Sequence, residues 1–253
     1  MNYYDFNKLF EIFNYWKDFT HPTEFYCEGW LTRILIFAVT DCGQKEHDLF
    51  IKPDNKYFSE PWLYSPFLPR FKDDPLAESF THADSAIGNF QIGDNKNKGA
   101  LKLIGRELKI IEAKIFSEFS PKVTNASFYN QASRYIACIA KTIDMSGKIS
   151  QLNNLSISFY LLIPEDQYKS KASYGKAMDI NSIHEKVKRR VEQYKNESDY
   201  KERKEWFDKD FKQVLDKIII KPIFYEDVIS DLKDYRFLKE IDNYYKMCLN
   251  YNK

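Results

Sequence analysis

Apolar residues recur at helical spacing from the start of the chain, where Phe6, Leu9, Phe10, Phe13 and Trp16 fall on one side of "MNYYDFNKLFEIFNYW". A second helical period follows in "HPTEFYCEGWLTRILIFAV". There Trp30, Leu31, Ile34, Leu35 and Ala38 lie three or four apart, and Thr23 is the predicted N-cap. Residues 53–75 then hold five of the nine prolines. Proline breaks both helix and central strand, so a long irregular excursion is predicted. Such a segment is either a lid over a site or a strap wrapped around its own core.

Beyond the excursion the apolar period shortens to two. "DSAIGNFQIG" alternates and runs into the turn cluster "GDNKNKG", which predicts a hairpin, and "ALKLIG" and "ELKIIEAKIF" read as further strands. "NASFYNQASRYIACIAKTID" returns to helical spacing, starting near Asn125 or Ser127, with Tyr129, Ala132, Ile136, Ile139 and Ala140 on its inner face. "LSISFYLLIP" is a continuous apolar run closed by Pro164, the pattern of a central strand buried on both faces. Strand, crossover helix and apolar strand together predict a right-handed βαβ unit. From residue 166 charges of both signs dominate. The pattern there predicts a helical C-terminal region packed on the core through Val187, Val191, Tyr194, Trp206, Phe207, Val214 and Ile218–Ile220. The predicted organisation is an α/β core with N-terminal helices over residues 1–165 and a helical region over 166–253.

Composition narrows the function classes. The chain has 253 residues, 43% of them apolar and 30% charged, enough for a sizeable globular core. A formal net charge of +1 means that any nucleic-acid surface has to be a local patch. The basic run "KVKRR" (Lys186 to Arg190) is flanked by Glu185 and Glu192, so it reads as a solvated helix face ahead of a phosphate track. Cys27, Cys42, Cys138 and Cys248 form no CxxC pair and read as free thiols of a reducing compartment. No apolar run approaches the roughly 18 residues of a membrane span, and the opening segment carries acids, unlike a signal peptide. A cytoplasmic location and no membrane partner are expected.

The chemistry is found mostly by elimination. His21, His47, His82 and His184 have no metal-ligand spacing, and the chain contains no HExxH, GxSxG, P-loop or GxGxxG motif. Carboxylates remain. In "LKIIEAKIFSEFS" strand alternation puts Glu112 and Lys114 on one face. Alone, this acid-x-Lys triplet reads as a same-face ion pair worth a few tenths of a kcal/mol, and lookalikes such as Glu107-Lys109 recur along the chain. The context differs here. Asp84 opens the neighbouring strand about 28 residues earlier, so a hairpin or meander brings the two carboxylates together. Adjacent carboxylates repel, and a hard divalent cation such as Mg²⁺ resolves that repulsion. A lysine beside the cation can orient a water, the equipment of metal-assisted phosphodiester hydrolysis.

The order Glu28 in "YCEGWLTRIL", Asp84 in "HADSAIG", Glu112 and Lys114 in "IIEAKIFS", then Gln131 in "YNQASRYIAC" resembles the PD-(D/E)xK nuclease superfamily. The resemblance covers about residues 23–165, and the flanking segment is similar to a bacterial branch of that superfamily. It implies a restriction-endonuclease-like core with a mixed central sheet between helices, and a Mg²⁺- or Mn²⁺-dependent nuclease, with DNA expected ahead of RNA. Asp84 and Glu112 would ligate the metal with the Ala113 carbonyl, and Lys114 would position the attacking water. Glu28 would be an accessory acid for a second ion or for orienting Lys114, against the alternative of pairing with Arg33 or Lys17. Gln131, with Arg134 one turn on, would steady the lysine or touch the scissile phosphate, against the alternatives of an exposed helical glutamine and a structural arginine. One departure stands out: Ala83, not proline, precedes Asp84. The resemblance also implies a role in bacterial or phage defence and a restraining partner protein or a homo-oligomer. The alternative from a different class is a non-catalytic binding or scaffold subunit that keeps the fold.

Overall fold

A computed structural model of the chain describes residues 6–16, 19–93, 100–120 and 125–253. Residues 94–99 of the predicted hairpin turn, Lys17 and the Trp16 side chain lie outside the described set. The chain begins with α1 (Phe6–Trp16), α2 (Pro22–Phe25) and α3 (Glu28–Asp41), followed by β1 (Lys56–Ser59), β2 (Trp62–Leu63) and β3 (Thr81–His82). The hairpin strands β4 (Ser85–Ile92) and β5 (Leu101–Ala113) lead through α4 (Gln131–Met145) to β6 (Ser156–Ile163). The C-terminal part holds α5 (Glu165–Ser170), α6 (Ala172–Met178), α7 (Ile180–Glu192), α8 (Tyr200–Trp206) and α9 (Lys212–Leu215), then β7 (Ile219–Phe224), α10 (Tyr225–Asp231) and α11 (Leu238–Tyr251).

Five strands form one mixed sheet in the order β1-β4-β5-β6-β7. β1, β4 and β5 are antiparallel neighbours, whereas β6 runs parallel to β5 and β7 parallel to β6. The α4 crossover between β5 and β6 is the predicted βαβ connection. Each face of the sheet carries its own apolar cluster. One packs Ile110, Phe159 and Leu161 against α4, α7 and the α8–α9 segment; the other packs Ile111, Tyr160 and Ile223 against α1, α3, α10 and α11. β6 is buried from Ile157 to Ile163, as its unbroken apolar run requires.

Several elements depart from the sequence expectation. The second helix is two: Pro22 sets the start of α2, and extended backbone at Cys27 restarts the helix so that Glu28 opens α3. Thr23 lies inside α2, and its hydroxyl meets the His21 ring instead of capping. The proline-rich excursion is not wholly irregular, because β1 is the sheet's edge strand between Pro53 and Pro61. Its remainder is a strap, with Leu63 and Phe67 buried in the core. "ALKLIG" and "ELKIIEAKIF" form a single strand, and the first four residues of β4 are all buried where alternation was expected. Gly88 explains the local bend: a Cβ there would lie 2.1 Å from the Glu107 carbonyl oxygen, and the β4–β5 register slips between Gly88 and Phe90. α4 begins at Gln131 with Asn130 as N-cap, whose side chain accepts from the Ser133 N–H at 2.9 Å. Last, the C-terminal region also supplies a strand, β7, in which Ile219 is exposed.

Candidate functional site

The pleat of β5 separates its charged residues. Ile110 belongs to the apolar cluster beneath α4, and Ile111 and Ala113 to the opposite one. Glu112 therefore faces α4, while Glu107 and Lys109 face the other layer. That second pair is structural: Glu107 accepts from Lys52 at 3.0 Å and Asn55 at 2.8 Å, and Lys109 donates to the Asp48 carbonyl at 2.8 Å. Together they tie the loop before β1 to the sheet.

Ser85 pairs with Ile111, so continuing the antiparallel register by one residue sets Asp84 opposite Glu112. Side chains so placed have Cβ atoms about 4.5–5.5 Å apart. Asp84 Oδ2 accepts the Ala113 N–H at 2.7 Å, which fixes its carboxyl at the end of β5. The engaged group of Ala113 is thus its N–H. Glu112 is almost fully buried, and its Oε1 accepts from Lys114 Nζ at 2.6 Å and Gln131 Nε2 at 2.7 Å. Gln131 is oriented in turn by the Ser120 N–H, which donates to its Oε1 at 3.1 Å. Four of the residues expected at the site are thereby brought together.

Glu28 completes the arrangement from α3. Its Oε1 accepts the Ile115 N–H and the Ser117 hydroxyl, both at 2.7 Å, so it braces the segment after Lys114. The alternative pairing with Arg33 is not formed, because Arg33 binds Ser59 and Glu60. Arg134 turns away, donating to Glu78 at 3.1 Å and to the Ser79 carbonyl at 3.0 Å, and is structural.

The sequence reading missed Tyr135. Its hydroxyl bonds the Glu112 carboxyl and lies 2.6 Å from the His82 carbonyl. It sits one turn after Gln131, and that i, i+4 spacing was the available signal. The hydroxyl has one proton for two acceptors within reach, the Glu112 carboxyl and the His82 carbonyl. Burial, then the neighbouring Asp84, push the Glu112 carboxyl up to about 7. Burial also raises Asp84, with Glu28 adding to the rise against the Ala113 N–H and Lys114. For Lys114, burial pulls downward, but Glu112, Asp84 and Glu28 outweigh it and hold the ammonium above its ordinary value.

Three carboxylates thus act on one lysine. Protein donors use three of the roughly four acceptor positions of Glu112, leaving one, and Asp84 has one carboxyl oxygen beyond its bond to Ala113. This oxygen-rich, negatively charged donor set fits a hard divalent cation held by Asp84 and Glu112. Among the described residues no group of three or more His, Cys, Asp and Glu has metal-holding geometry. A cleft of about 640 Å³ lies elsewhere, lined by His47, Asp48, Lys221, Asp227 and Asp231 among others. Asp48 there pairs with Lys221 at 2.7 Å. In the basic run of α7, Lys188 and Arg189 are exposed as expected, but Arg190 is fully buried and pairs with Glu78 at 2.9 Å. Cys27, Cys42, Cys138 and Cys248 are free, and no helix among the described residues is long and apolar enough to cross a membrane. Comparison with family models, curated proteins and solved structures finds no match.

Proposed function

We propose that this chain is a divalent-metal-dependent nuclease of PD-(D/E)xK type, with a restriction-endonuclease-like core, and that DNA is its substrate ahead of RNA. The observation that carries this reading is the placement of Asp84 opposite Glu112 on paired strands, with Lys114 bonded to Glu112 and Gln131 reaching it from the next helix. Asp84 and Glu112 would hold Mg²⁺ or Mn²⁺, with the Ala113 carbonyl as a backbone ligand. When bound, the ion supplies Lewis-acid stabilisation of the phosphoryl oxygens and lowers the pKa of a water.

The chain's own groups do the positioning. Lys114 would present a buried ammonium, held above its ordinary value by the neighbouring carboxylates, where negative charge develops on the phosphate. Gln131 fixes the Glu112 carboxyl by a bond that its own contact with Ser120 orients. Tyr135 holds the second Glu112 oxygen, and Glu28 keeps the chain after Lys114 in place. A water oxygen would attack phosphorus as it gives up a proton, the P–O bond to the leaving deoxyribose oxygen would break, and that oxygen would take up a proton. A defence role, with a partner protein or second copy as restraint, goes with the nuclease reading and rests on the resemblance alone.

A second reading has its own support: Glu112 already accepts from Lys114, Gln131 and Tyr135, a satisfied network that would also serve a non-catalytic scaffold. One experiment separates the two. Plasmid and single-stranded DNA are incubated with the protein and Mg²⁺ or Mn²⁺, alongside Asp84→Asn, Glu112→Gln and Lys114→Ala. The nuclease reading expects cleavage by the wild type alone, and a Mg²⁺-dependent rise in melting temperature that Asp84→Asn and Glu112→Gln lose. A wild type that neither cleaves nor is stabilised by either ion leaves the scaffold.

A further inference from the structure

Phe116 stands two residues beyond Lys114 with φ of 60°, a left-handed conformation that bulky side chains rarely adopt. Five hydrogen bonds hold the backbone around it. Glu28 takes the Ile115 N–H and the Ser117 hydroxyl. Gln167 of α5 accepts the Phe116 N–H at 2.7 Å and donates to the Ser117 carbonyl at 2.9 Å, and the Tyr174 hydroxyl donates to the same carbonyl at 2.9 Å. Gln167 is itself buried and also donates to Tyr174 at 2.7 Å. Strain of this kind persists only where the surroundings over-determine it, and it concentrates at functional sites.

The fold covers this side chain only in part. Phe116 is 37% exposed, belongs to neither apolar cluster, and makes no ring–ring or cation–π contact among the described residues. A glycine would fill the position without strain. A part-exposed aromatic side chain is thus kept two residues from Lys114 in a conformation that a glycine would adopt without strain.

We propose that the Phe116 ring is a stacking platform for an unpaired nucleobase next to the scissile phosphate, so that the site takes single-stranded nucleic acid ahead of duplex. An aromatic face next to a phosphate-handling group binds nucleotides irrespective of sequence, because every base presents a π face. In a duplex the bases are already stacked on one another and leave no free face. The inference rests on the nuclease reading of the same site. Phe116 would touch substrate, and Gln167 is a positioning residue acting through it.

The test needs no metal-loaded enzyme. Binding to a single-stranded oligonucleotide bearing 2-aminopurine, and to its duplex, is measured in EDTA by anisotropy and 2-aminopurine quenching, with melting temperatures recorded in parallel. Phe116→Ala is expected to weaken single-strand binding about tenfold, abolish the quenching and leave duplex binding unchanged, whereas Phe116→Tyr retains all three. Phe116→Gly is expected to raise the melting temperature while weakening single-strand binding. Unchanged single-strand binding by Phe116→Ala overturns the inference, as does a Phe116→Gly variant that melts earlier, because the ring would then be structural. If wild type binds and cleaves DNA but is indifferent to Phe116→Ala, this inference alone fails. If wild type neither binds DNA nor cleaves it with Mg²⁺, the nuclease reading fails with it.

Discussion

Glu112 is the residue on which the site turns, and its proton is measurable. Its carboxyl titrates near 7 in the folded chain, against an ordinary value of 4.5, because burial and Asp84 disfavour its charge. With the higher pKa in the folded state, the folded protein binds this proton more tightly than the unfolded chain does. The stability it contributes is present in full below about 4.5 and is lost as pH rises to about 7, a change of about 3 kcal/mol at most. Urea unfolding in EDTA is therefore expected to show wild type losing about 2–3 kcal/mol relative to Glu112→Gln between pH 5 and 8. A parallel pH dependence in the two proteins would contradict the shift. Asp84, Glu112, Lys114 and Gln131 were legible in the sequence because their side-chain types, order and element settings are local properties. The Tyr135 hydroxyl was not, since a tyrosine on an inner helix face reads as core until the partner across the sheet is known. The role of Glu28 was legible only as a choice between partners, and the choice depended on where residues 115–117 came to lie.

At the scale of elements, α4 is held in register by its cap. Asn130→Ala removes the bond to the Ser133 N–H and is expected to cost about 1 kcal/mol. Because Gln131 is the next residue, any cleavage activity should fall by more than that stability loss explains. Thermal melts and single-turnover cleavage, compared side by side, check this. The β4–β5 hairpin has a sharper sensitivity. Gly88→Ala puts a methyl group against the Glu107 carbonyl and is expected to destabilise by at least about 2 kcal/mol, read by chemical denaturation. The existence of these elements was legible from periodicity, but their ends were not. A helix pattern through "HPTEFYCEGW" runs on, yet the backbone breaks at Cys27, and only that break brings Glu28 to the first turn facing Ser117. β1 was hidden because its prolines mark the ends of an edge strand as readily as a loop.

The whole molecule is knitted by charges inside its helical layer. Glu78, from the strap, takes Arg134 of α4 at 3.1 Å and Arg190 of α7 at 2.9 Å, and Arg190 also reaches the Leu76 carbonyl. Removing one partner of a buried pair costs about 3–5 kcal/mol, so Arg190→Ala is expected near the lower end, with Arg134 still present. Equilibrium unfolding measures it, and a loss under about 1 kcal/mol would show that the strap is not anchored there. The sequence could not reveal this, since a basic run between glutamates on a helix looks solvated until the segment packed over it is placed.

β7 has a consequence in time. The sheet's fifth strand is made about 55 residues after β6 ends, and Gln167, which fixes the turn at Phe116, also follows β6. At synthesis rates of about 5–20 residues per second, one side of β6 waits roughly 3–11 s for its neighbour. Through that interval a run of Phe159 to Ile163 offers an unpaired edge of the sort that recruits other chains. Asp84, Glu112, Lys114 and Gln131 have all been translated by then, but the frame that presents them is unfinished. The ribosome thus releases these four side chains early and the frame around them late.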